Sequence, residues 1–146
     1  MSTTLKVGDR FPVERLTPRP DGAAVVYFYP RDLTPGCTLQ AKRFNDLYDR
    51  FRDLGFEVIG VSMDARESHD EFTRECSLRF PLATDEGGAL TRDLGILQSH
   101  EQFGEMPRRV TFLLDGDATV RRIWEVEPGL ETAEANPDEV LAEAGA

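Results

Sequence analysis

The clearest apolar pattern in the chain is an unbroken run at residues 23–29, which ends at Pro30. Its length and its β-branched and aromatic side chains predict a strand that is buried on both faces. A second core strand is predicted at residues 57–62. Two further strands, at residues 109–114 and 120–124, are separated by an Asp-Gly-Asp turn and therefore predict a β-hairpin.

A helix is predicted to begin shortly after the first strand. Thr34 can serve as its N-cap with Pro35 as its first residue, and Gly55 is expected to end it. Its apolar positions repeat at helical spacing and comprise Phe44, Leu47, Tyr48 and Phe51. This spacing places them on one helix face, which predicts an amphipathic helix packed on the core.

Further helices and an irregular N-terminal arm complete the pattern. Asp64 and Glu67 resemble a capping box for a helix at residues 65–77. The other predictions are an extended piece at 80–82, a short helix at 89–94, a last helix that starts at 136–139, and an arm at 1–22 with an edge strand at 11–16. The Glu-rich stretch at 125–143 is predicted to be a solvated helix and tail.

The order of these elements is strand, helix, strand, helix, short pieces, strand, strand, helix. The first half predicts a βαβ unit with a parallel strand pair, and the second half adds an antiparallel hairpin and a helix. This order is typical of an α/β, thioredoxin-like fold in which helices flank a mixed β-sheet. Because the chain contains no internal repeat or low-complexity linker, we expect residues 1–146 to form a single domain.

Composition narrows the range of functions. A formal net charge of −10 argues against binding nucleic acid or an anionic membrane through bulk charge. No apolar run approaches the ~20 residues that span a bilayer. Residues 1–6 lack an apolar signal core, so we expect a cytoplasmic protein. Two cysteines are too few for a disulfide scaffold, so in a reducing compartment a catalytic or redox role is expected for them.

Cys37 occupies a chemically favourable position. It lies three residues after Thr34, in the first turn of the helix that follows the first core strand. The free N–H groups and the dipole of a helix N-terminus favour a thiolate, which is the nucleophilic form of cysteine. The alternative is a small buried hydrophobic residue with no chemical role.

The sequence around Cys37 resembles the active-site signature of peroxiredoxins. The family core is Pro, three residues, Thr or Ser, two residues and Cys, represented here by Pro30, Thr34 and Cys37. The longer motif, Phe-Tyr-Pro followed by Thr-Pro-Gly-Cys-Thr, is similar to that of the peroxiredoxin Q class, also called bacterioferritin comigratory proteins. The resemblance covers roughly residues 23–125, whereas the loop at residues 98–106 matches poorly.

This resemblance implies a role for each site residue. Cys37 would be the peroxidatic nucleophile, and Arg109 would place a permanent cation beside the sulfur and the peroxide. Thr34 would hydrogen-bond within the same group, and Pro30 would shield the thiolate from water. Arg108 is adjacent to Arg109, and because a strand alternates its faces only one of the two can point into the site.

The resemblance also implies the reaction and its partners. We expect a thiol-dependent peroxidase that reduces hydrogen peroxide and organic hydroperoxides without a cofactor, with thioredoxin, glutaredoxin or a small thiol as reductant. The class is often monomeric, so a monomer or weak homodimer is expected. His69 and His100 form no ligand pair of recognised spacing with the cysteines, so no metal is expected. The alternative from another functional class is a non-catalytic thioredoxin-fold redox sensor or chaperone.

The sequence offers two ways to recycle Cys37. Many members of the class carry a second cysteine five residues after the first, where this chain has Lys42. Cys76 is the remaining thiol and falls in the second long predicted helix, on one face with His69 and Phe72. Cys76 is therefore a candidate resolving cysteine. If Cys76 is instead a core residue, an external thiol would resolve a one-Cys enzyme.

Overall fold

A five-stranded mixed sheet lies at the centre of the computed structural model, which describes residues 3–146. The strands in these residues are β1 (Ala24–Phe28), β2 (Glu57–Ser62), β3 (Leu82–Thr84), β4 (Leu97–His100), β5 (Gly104–Pro107), β6 (Val110–Leu114) and β7 (Val120–Glu125). The main sheet has the order β3-β2-β1-β6-β7, with β1 parallel to β2 and antiparallel to β6. The predicted mixed sheet is therefore confirmed.

Helices cover both faces of this sheet. The α-helices in residues 3–146 are α1 (Pro35–Asp46), α2 (Tyr48–Asp53), α3 (Arg66–Cys76), α4 (Ala89–Asp93) and α5 (Leu130–Ala144). Buried residues of α1, α2, α3 and α5 share one core with one sheet face, whereas α4 and the N-terminal arm cover the other. None of the helices in residues 3–146 combines the length and apolarity that a membrane crossing requires.

Strand β1 separates the two cores. All five of its residues are buried, as its unbroken apolar sequence predicts. Val26 and Phe28 contribute to the core beneath α4, and Val25 and Tyr27 contribute to the core beneath α1. Because successive side chains of a strand point to opposite faces, a strand between two cores must be apolar throughout.

The single helix predicted from Thr34 to Gly55 is two helices in the structure. The backbone leaves the helical geometry at Leu47, where φ is −93° and ψ is 1°. The apolar face nevertheless continues across the break, since Phe44, Leu47 and Phe51 are all buried in one core. Apolar spacing shows which face is buried, but it does not show this local change of backbone direction.

The predicted edge strand at residues 11–16 is wrong. The structure has a short 3₁₀ helix at Val13–Arg15, and the arm contacts the sheet through an isolated bridge between Arg10 and Thr119. Phe11, Val13 and Leu16 are buried, so the arm serves as core packing rather than as a strand. Met1 and Ser2, where the predicted arm begins, lie outside the described residues.

The predicted capping box at Asp64 and Glu67 is also wrong. The N-cap of α3 is Ala65, which makes no side-chain cap bond. The Asp64 carboxylate instead accepts hydrogen bonds from Ser62 Oγ at 2.7 Å and from the Asp32 backbone N–H at 2.9 Å. The Asp64 carboxylate, which the local pattern assigns to the helix cap, therefore makes a tertiary contact with the loop before α1 instead.

The last helix begins before the predicted start at residues 136–139. Helix α5 runs from Leu130 to Ala144 and contains Pro137 in its interior. Asn136 and Pro137 are buried against the rest of the molecule, so the stretch predicted to be solvated has one buried face. Packing against α1 outweighs the preference of proline for a helix start.

Strands β4 and β5 form a hairpin where the sequence pattern predicts a polar loop at residues 98–106. These strands contain few β-branched residues and show no clear apolar alternation, so the usual strand signal is missing. The hairpin contacts the loop before α1, because the Arg31 guanidinium lies 5.0 Å from the centre of the exposed Phe103 ring.

Candidate active site

Cys37 lies in the first turn of α1, at the end of the central strand β1. Thr34 occupies the N-cap position and Pro35 the first helical position, as predicted. The Cys37 side chain is only 1% exposed and carries a free thiol. The sulfur therefore belongs to the first turn of a helix, where the backbone N–H groups have no partner within the helix, and it is largely removed from water.

Arg109 is the charged group in contact with this thiol. It directly precedes β6, whose Val110 pairs with Phe28 of β1, so the two strand ends bring Arg109 beside the start of α1. Its Nη2 lies 3.5 Å from Cys37 Sγ. A guanidinium remains protonated at all physiological pH values, so it supplies a constant positive charge to the sulfur.

Arg108 points away from the thiol. Its Nη1 lies 3.0 Å from Glu125 Oε1, and its Nη2 donates to the Gly95 carbonyl at 3.1 Å. The two adjacent arginines thus have different partners, as expected for neighbouring residues of an extended chain.

The residue before the cysteine makes room for the arginine. A Cβ atom on Gly36 would lie 3.0 Å from Arg109 Nη2, which is tighter than an ordinary van der Waals contact. Glycine at this position therefore allows the guanidinium to approach the helix start and the sulfur.

A chain of buried amides holds Arg109 in place. Arg109 Nη1 donates to Gln40 Oε1 at 2.7 Å, and Gln40 Nε2 donates to Asn136 Oδ1 at 3.0 Å. Thr111 Oγ1 donates to the same Asn136 oxygen at 2.9 Å. Because these three polar side chains are fully buried, each bond restricts its partner, and α1, β6 and α5 together orient the guanidinium.

Sequence reasoning missed this chain of amides. Gln40 follows Cys37 by one helical turn, so its place on the active-site face was accessible from spacing. Asn136 is 96 residues away from Gln40 in the sequence, and no local pattern connects the two.

Thr34 and Pro30 border the same region. The Thr34 hydroxyl donates to the Arg31 carbonyl at 2.9 Å and makes no cap bond to the helix. Its oxygen is thus oriented by the loop and retains lone pairs that can accept a bond. Pro30 and Arg109 both line an open cleft of about 560 Å³, through which the guanidinium faces solvent.

Cys76 is the last residue of α3 and is partly buried against the core that contains Cys37. Both thiols are free. Burial raises the pKa of the Cys76 thiol, and Glu75 adds to this effect, whereas Lys42 opposes it. Lys42 occupies the position of the common resolving cysteine of the class, so Cys76 lies within electrostatic reach of that position.

His69 is buried in α3 and contacts Asp32, which lies in the loop between Pro30 and Thr34. His100 lies on the hairpin and accepts a bond from the Gln102 backbone N–H at 3.1 Å. Within residues 3–146, no group of three or more His, Cys, Asp or Glu side chains is arranged to hold a metal ion.

Comparison with known proteins places the chain in a family. Residues 9–123 match the AhpC/TSA family. Over 100 residues the chain is 43% identical to chloroplastic peroxiredoxin Q of Sedum lineare and 45% identical to that of Gentiana triflora, in each case across 68% of the chain. The match covers 53% and 45% of those two proteins, so the chain spans about half the length of the curated relatives it matches.

Solved structures agree with this placement. The bacterioferritin comigratory protein of Xanthomonas campestris is 33% identical with a TM-score of 0.74, and the match covers 86% of this chain and 79% of that one. Peroxidoxin BcpB of Mycobacterium tuberculosis is 26% identical with a TM-score of 0.79, covering 99% and 97% of the two chains. The chain belongs to the AhpC/TSA family and, within it, to the peroxiredoxin Q or bacterioferritin comigratory class, which confirms the predicted resemblance.

Proposed function

We propose that the protein is a thiol-dependent peroxidase in which Cys37 reduces hydrogen peroxide and organic hydroperoxides. The observation that carries this proposal is the 3.5 Å approach of Arg109 Nη2 to the buried sulfur of Cys37 at a helix N-terminus. The combination supplies a nucleophilic thiolate and a fixed positive charge at the same point. The related Xanthomonas campestris protein is described with alkyl peroxide reduction activity, which supports the same chemistry here.

The reaction is a displacement at oxygen. The Cys37 thiolate attacks one peroxide oxygen, the S–O bond forms, and the O–O bond breaks with its electron pair leaving on the second oxygen. That oxygen takes up a proton and departs as water or an alcohol, while Cys37 becomes a sulfenic acid. Negative charge moves from sulfur to the leaving oxygen, so donors beside the sulfur favour the transition state when they also reach that oxygen.

The residues around Cys37 have separate roles in this reaction. Arg109 stabilises the thiolate and then the developing charge on the leaving oxygen, and the amide chain through Gln40 holds it in place. Thr34 retains acceptor capacity, so it can receive a hydrogen bond from a protonated peroxide oxygen. Pro30 restricts water at the mouth of the cleft. Preorganised donors of this kind require little rearrangement during the reaction.

Peroxide consumption with dithiothreitol as reductant tests the proposal. The wild-type protein is expected to consume peroxide catalytically, and Cys37→Ser is expected to show no turnover. Cys76→Ser is the matched control, because dithiothreitol can resolve Cys37 in place of Cys76. Equal turnover in wild type and Cys37→Ser would refute the proposal. Stoichiometric oxidation of Cys37 without turnover would favour the non-catalytic redox sensor or chaperone.

For recycling, we propose that Cys76 resolves the Cys37 sulfenic acid. Its support is that both sulfurs border one core and that Cys76 lies near Lys42, the position of the common resolving cysteine. A disulfide requires Cα atoms about 4.4–6.8 Å apart, so this proposal includes unwinding of the first turn of α1, of the end of α3, or of both. The raised pKa of Cys76 favours the alternative, in which an external thiol resolves a one-Cys enzyme.

Intact mass after one equivalent of peroxide separates these two modes. An internal disulfide lowers the mass of the wild-type protein by two hydrogens, and Cys76→Ser then traps a sulfenic acid that is heavier by one oxygen. The same sulfenic acid in both proteins would show that Cys76 does not resolve Cys37.

The remaining proposals concern the setting of the enzyme. We propose thioredoxin, glutaredoxin or a small thiol as the reductant, a cytoplasmic location, and a monomer or weak homodimer. Family membership supports the thiol reductant. Size-exclusion chromatography with light scattering, and turnover assays with each reductant, test the oligomeric state and the reductant.

A further inference from the structure

A buried carboxylate lies in the loop that leads to Cys37 but belongs to a different set of contacts. Asp32 stands between Pro30 and Thr34, and its side chain is 1% exposed. It accepts hydrogen bonds from the Tyr29 hydroxyl at 2.5 Å and from Ser68 Oγ at 2.9 Å, and its Oδ2 lies 2.6 Å from His69 Nδ1. Two of these three partners belong to α3, so Asp32 links the active-site loop to that helix.

Each ring nitrogen of His69 has a buried polar partner. Its Nε2 lies 3.1 Å from the carbonyl oxygen of Ala83, and its Nδ1 lies 2.6 Å from Asp32 Oδ2. The other titratable groups nearby are Tyr29, whose hydroxyl is 3.5 Å from Nδ1, and Asp64, which binds the Asp32 backbone N–H. The pair is therefore a buried polar link between α3 and the active-site loop.

The loop has a conformation that needs such a support. Leu33, directly after Asp32, has a φ of 64°, in the left-handed region that leucine rarely adopts. A residue in this region is strained, so the conformation persists only where surrounding contacts impose it. Leu33 itself is 42% exposed, so its own side chain supplies little of that support. The bonds of Asp32 on one side and of Thr34 on the other flank the strained residue.

We propose that Asp32 and His69 form an anchor that positions the Cys37 loop and thereby holds the sulfur beside Arg109. His69 and Asp32 are positioning residues, because they act on the sulfur through the loop and not by contact. The catalytic part of this inference rests on the proposed peroxidase function.

Amide hydrogen exchange of the reduced protein tests the anchor without any peroxide. His69→Leu fills the core but removes the ring nitrogen that contacts the Asp32 carboxyl group, and we expect exchange in residues 30–38 to become about tenfold faster or more. His69→Asn restores a neutral N–H donor and is expected to recover part of the protection. His100→Asn, on the exposed hairpin, is the matched control and is expected to match wild type.

The location of the change separates an anchor from general destabilisation. Exchange in β6, at the centre of the sheet, is expected to remain unchanged in the His69 variants. Wild-type protection of residues 30–38 in folded His69→Leu would overturn the proposal. Should His69→Leu fail to fold, Ser68→Ala decides instead, because it removes one donor to Asp32. We expect a severalfold increase in exchange at the same residues, and an unchanged rate would overturn the proposal.

The consequence for catalysis has its own readout, the second-order rate constant for oxidation of Cys37 by hydrogen peroxide in a Cys76→Ser background. His69→Leu is expected to lower this rate constant about tenfold or more, because the loosened loop no longer holds Cys37 beside Arg109. His69→Asn is expected to recover part of the rate. An unchanged rate constant in folded His69→Leu would overturn the positioning role. Absence of any peroxide reaction in wild type as well would refute the peroxidase itself and leave the exchange result standing.

Discussion

At the residue scale, the site depends on one charged contact that its immediate neighbour does not make. Arg109 reaches Cys37, and Arg108 instead pairs with Glu125 and the Gly95 carbonyl. The two residues have the same chemistry and adjacent positions, so a comparison between them isolates the effect of position.

We predict that Arg109→Ala lowers the rate of Cys37 oxidation by about 10²–10³-fold, since it removes a preorganised donor to the developing charge. The measurement is the second-order rate constant with hydrogen peroxide, in a Cys76→Ser background. Arg108→Ala is the control and is expected to lose far less activity. Comparable losses in the two variants would show that the contact with the sulfur is not what matters.

Cys76 offers a second test at this scale, through the pH dependence of its reactivity. Burial raises the pKa of Cys76, so at neutral pH less of it is thiolate than in a free thiol. In Cys37→Ser, alkylation of Cys76 by iodoacetamide is therefore expected to rise with pH to a midpoint above that of free cysteine.

The charged neighbours of Cys76 give this prediction a matched pair of variants. Lys42 lowers the pKa of Cys76 and Glu75 raises it. Lys42→Ala is thus expected to move the alkylation midpoint to higher pH, and Glu75→Gln to lower pH. An alkylation midpoint that neither substitution changes would show that Lys42 and Glu75 do not act on the Cys76 thiol.

At the element scale, α5 does more than cover the sheet. Its Asn136 accepts bonds from Gln40 of α1 and Thr111 of β6 with a single buried oxygen. The amide nitrogen of Asn136 is buried and has no hydrogen-bond partner among residues 3–146, so this side chain contributes to the network through its oxygen. The last helix thereby supports the arginine of the active site, which its sequence alone does not suggest.

Asn136→Ala is predicted to lower the free energy of unfolding by about 1–3 kcal/mol, because two buried donors lose their acceptor. Urea denaturation measures the effect. Glu134→Ala, on the exposed side of the same helix, is the control and should stay within about 0.5 kcal/mol of wild type. A stability change no larger than that of the control would contradict the assigned hydrogen bonds.

The element pattern also shows where sequence reasoning succeeds and where it stops. The strands β1, β2, β6 and β7 were predictable because continuous apolar sequence and a tight turn are local signals. The hairpin β4–β5 lacks such a signal, since half of its strand residues are polar and none is β-branched. The start of α5 was misplaced because burial of Asn136 and Pro137 against α1 decides it, and that contact is remote in sequence.

At the scale of the whole molecule, local sequence signals predict part of the active site, and contacts between residues remote in sequence determine the rest. Thr34 and Cys37 are one helical turn apart, so spacing alone brings them together. Arg109 joins them through the pairing of β6 with β1, which a correct strand order predicts. The supports of the site are different, because the bonds of Asp32 to His69 and of Gln40 to Asn136 cross 37 and 96 residues. Only the folded chain shows such contacts.

The central claim is that the environment of Cys37 makes it the peroxide-reactive thiol, and the two cysteines of the chain test it directly. The measurement is the rate constant with hydrogen peroxide of Cys76→Ser, which keeps only Cys37, and of Cys37→Ser, which keeps only Cys76. Cys37 is expected to react faster by about 10²-fold or more, because it lies in the first turn of α1 with a guanidinium beside its sulfur. Equal rates in the two proteins would contradict the account.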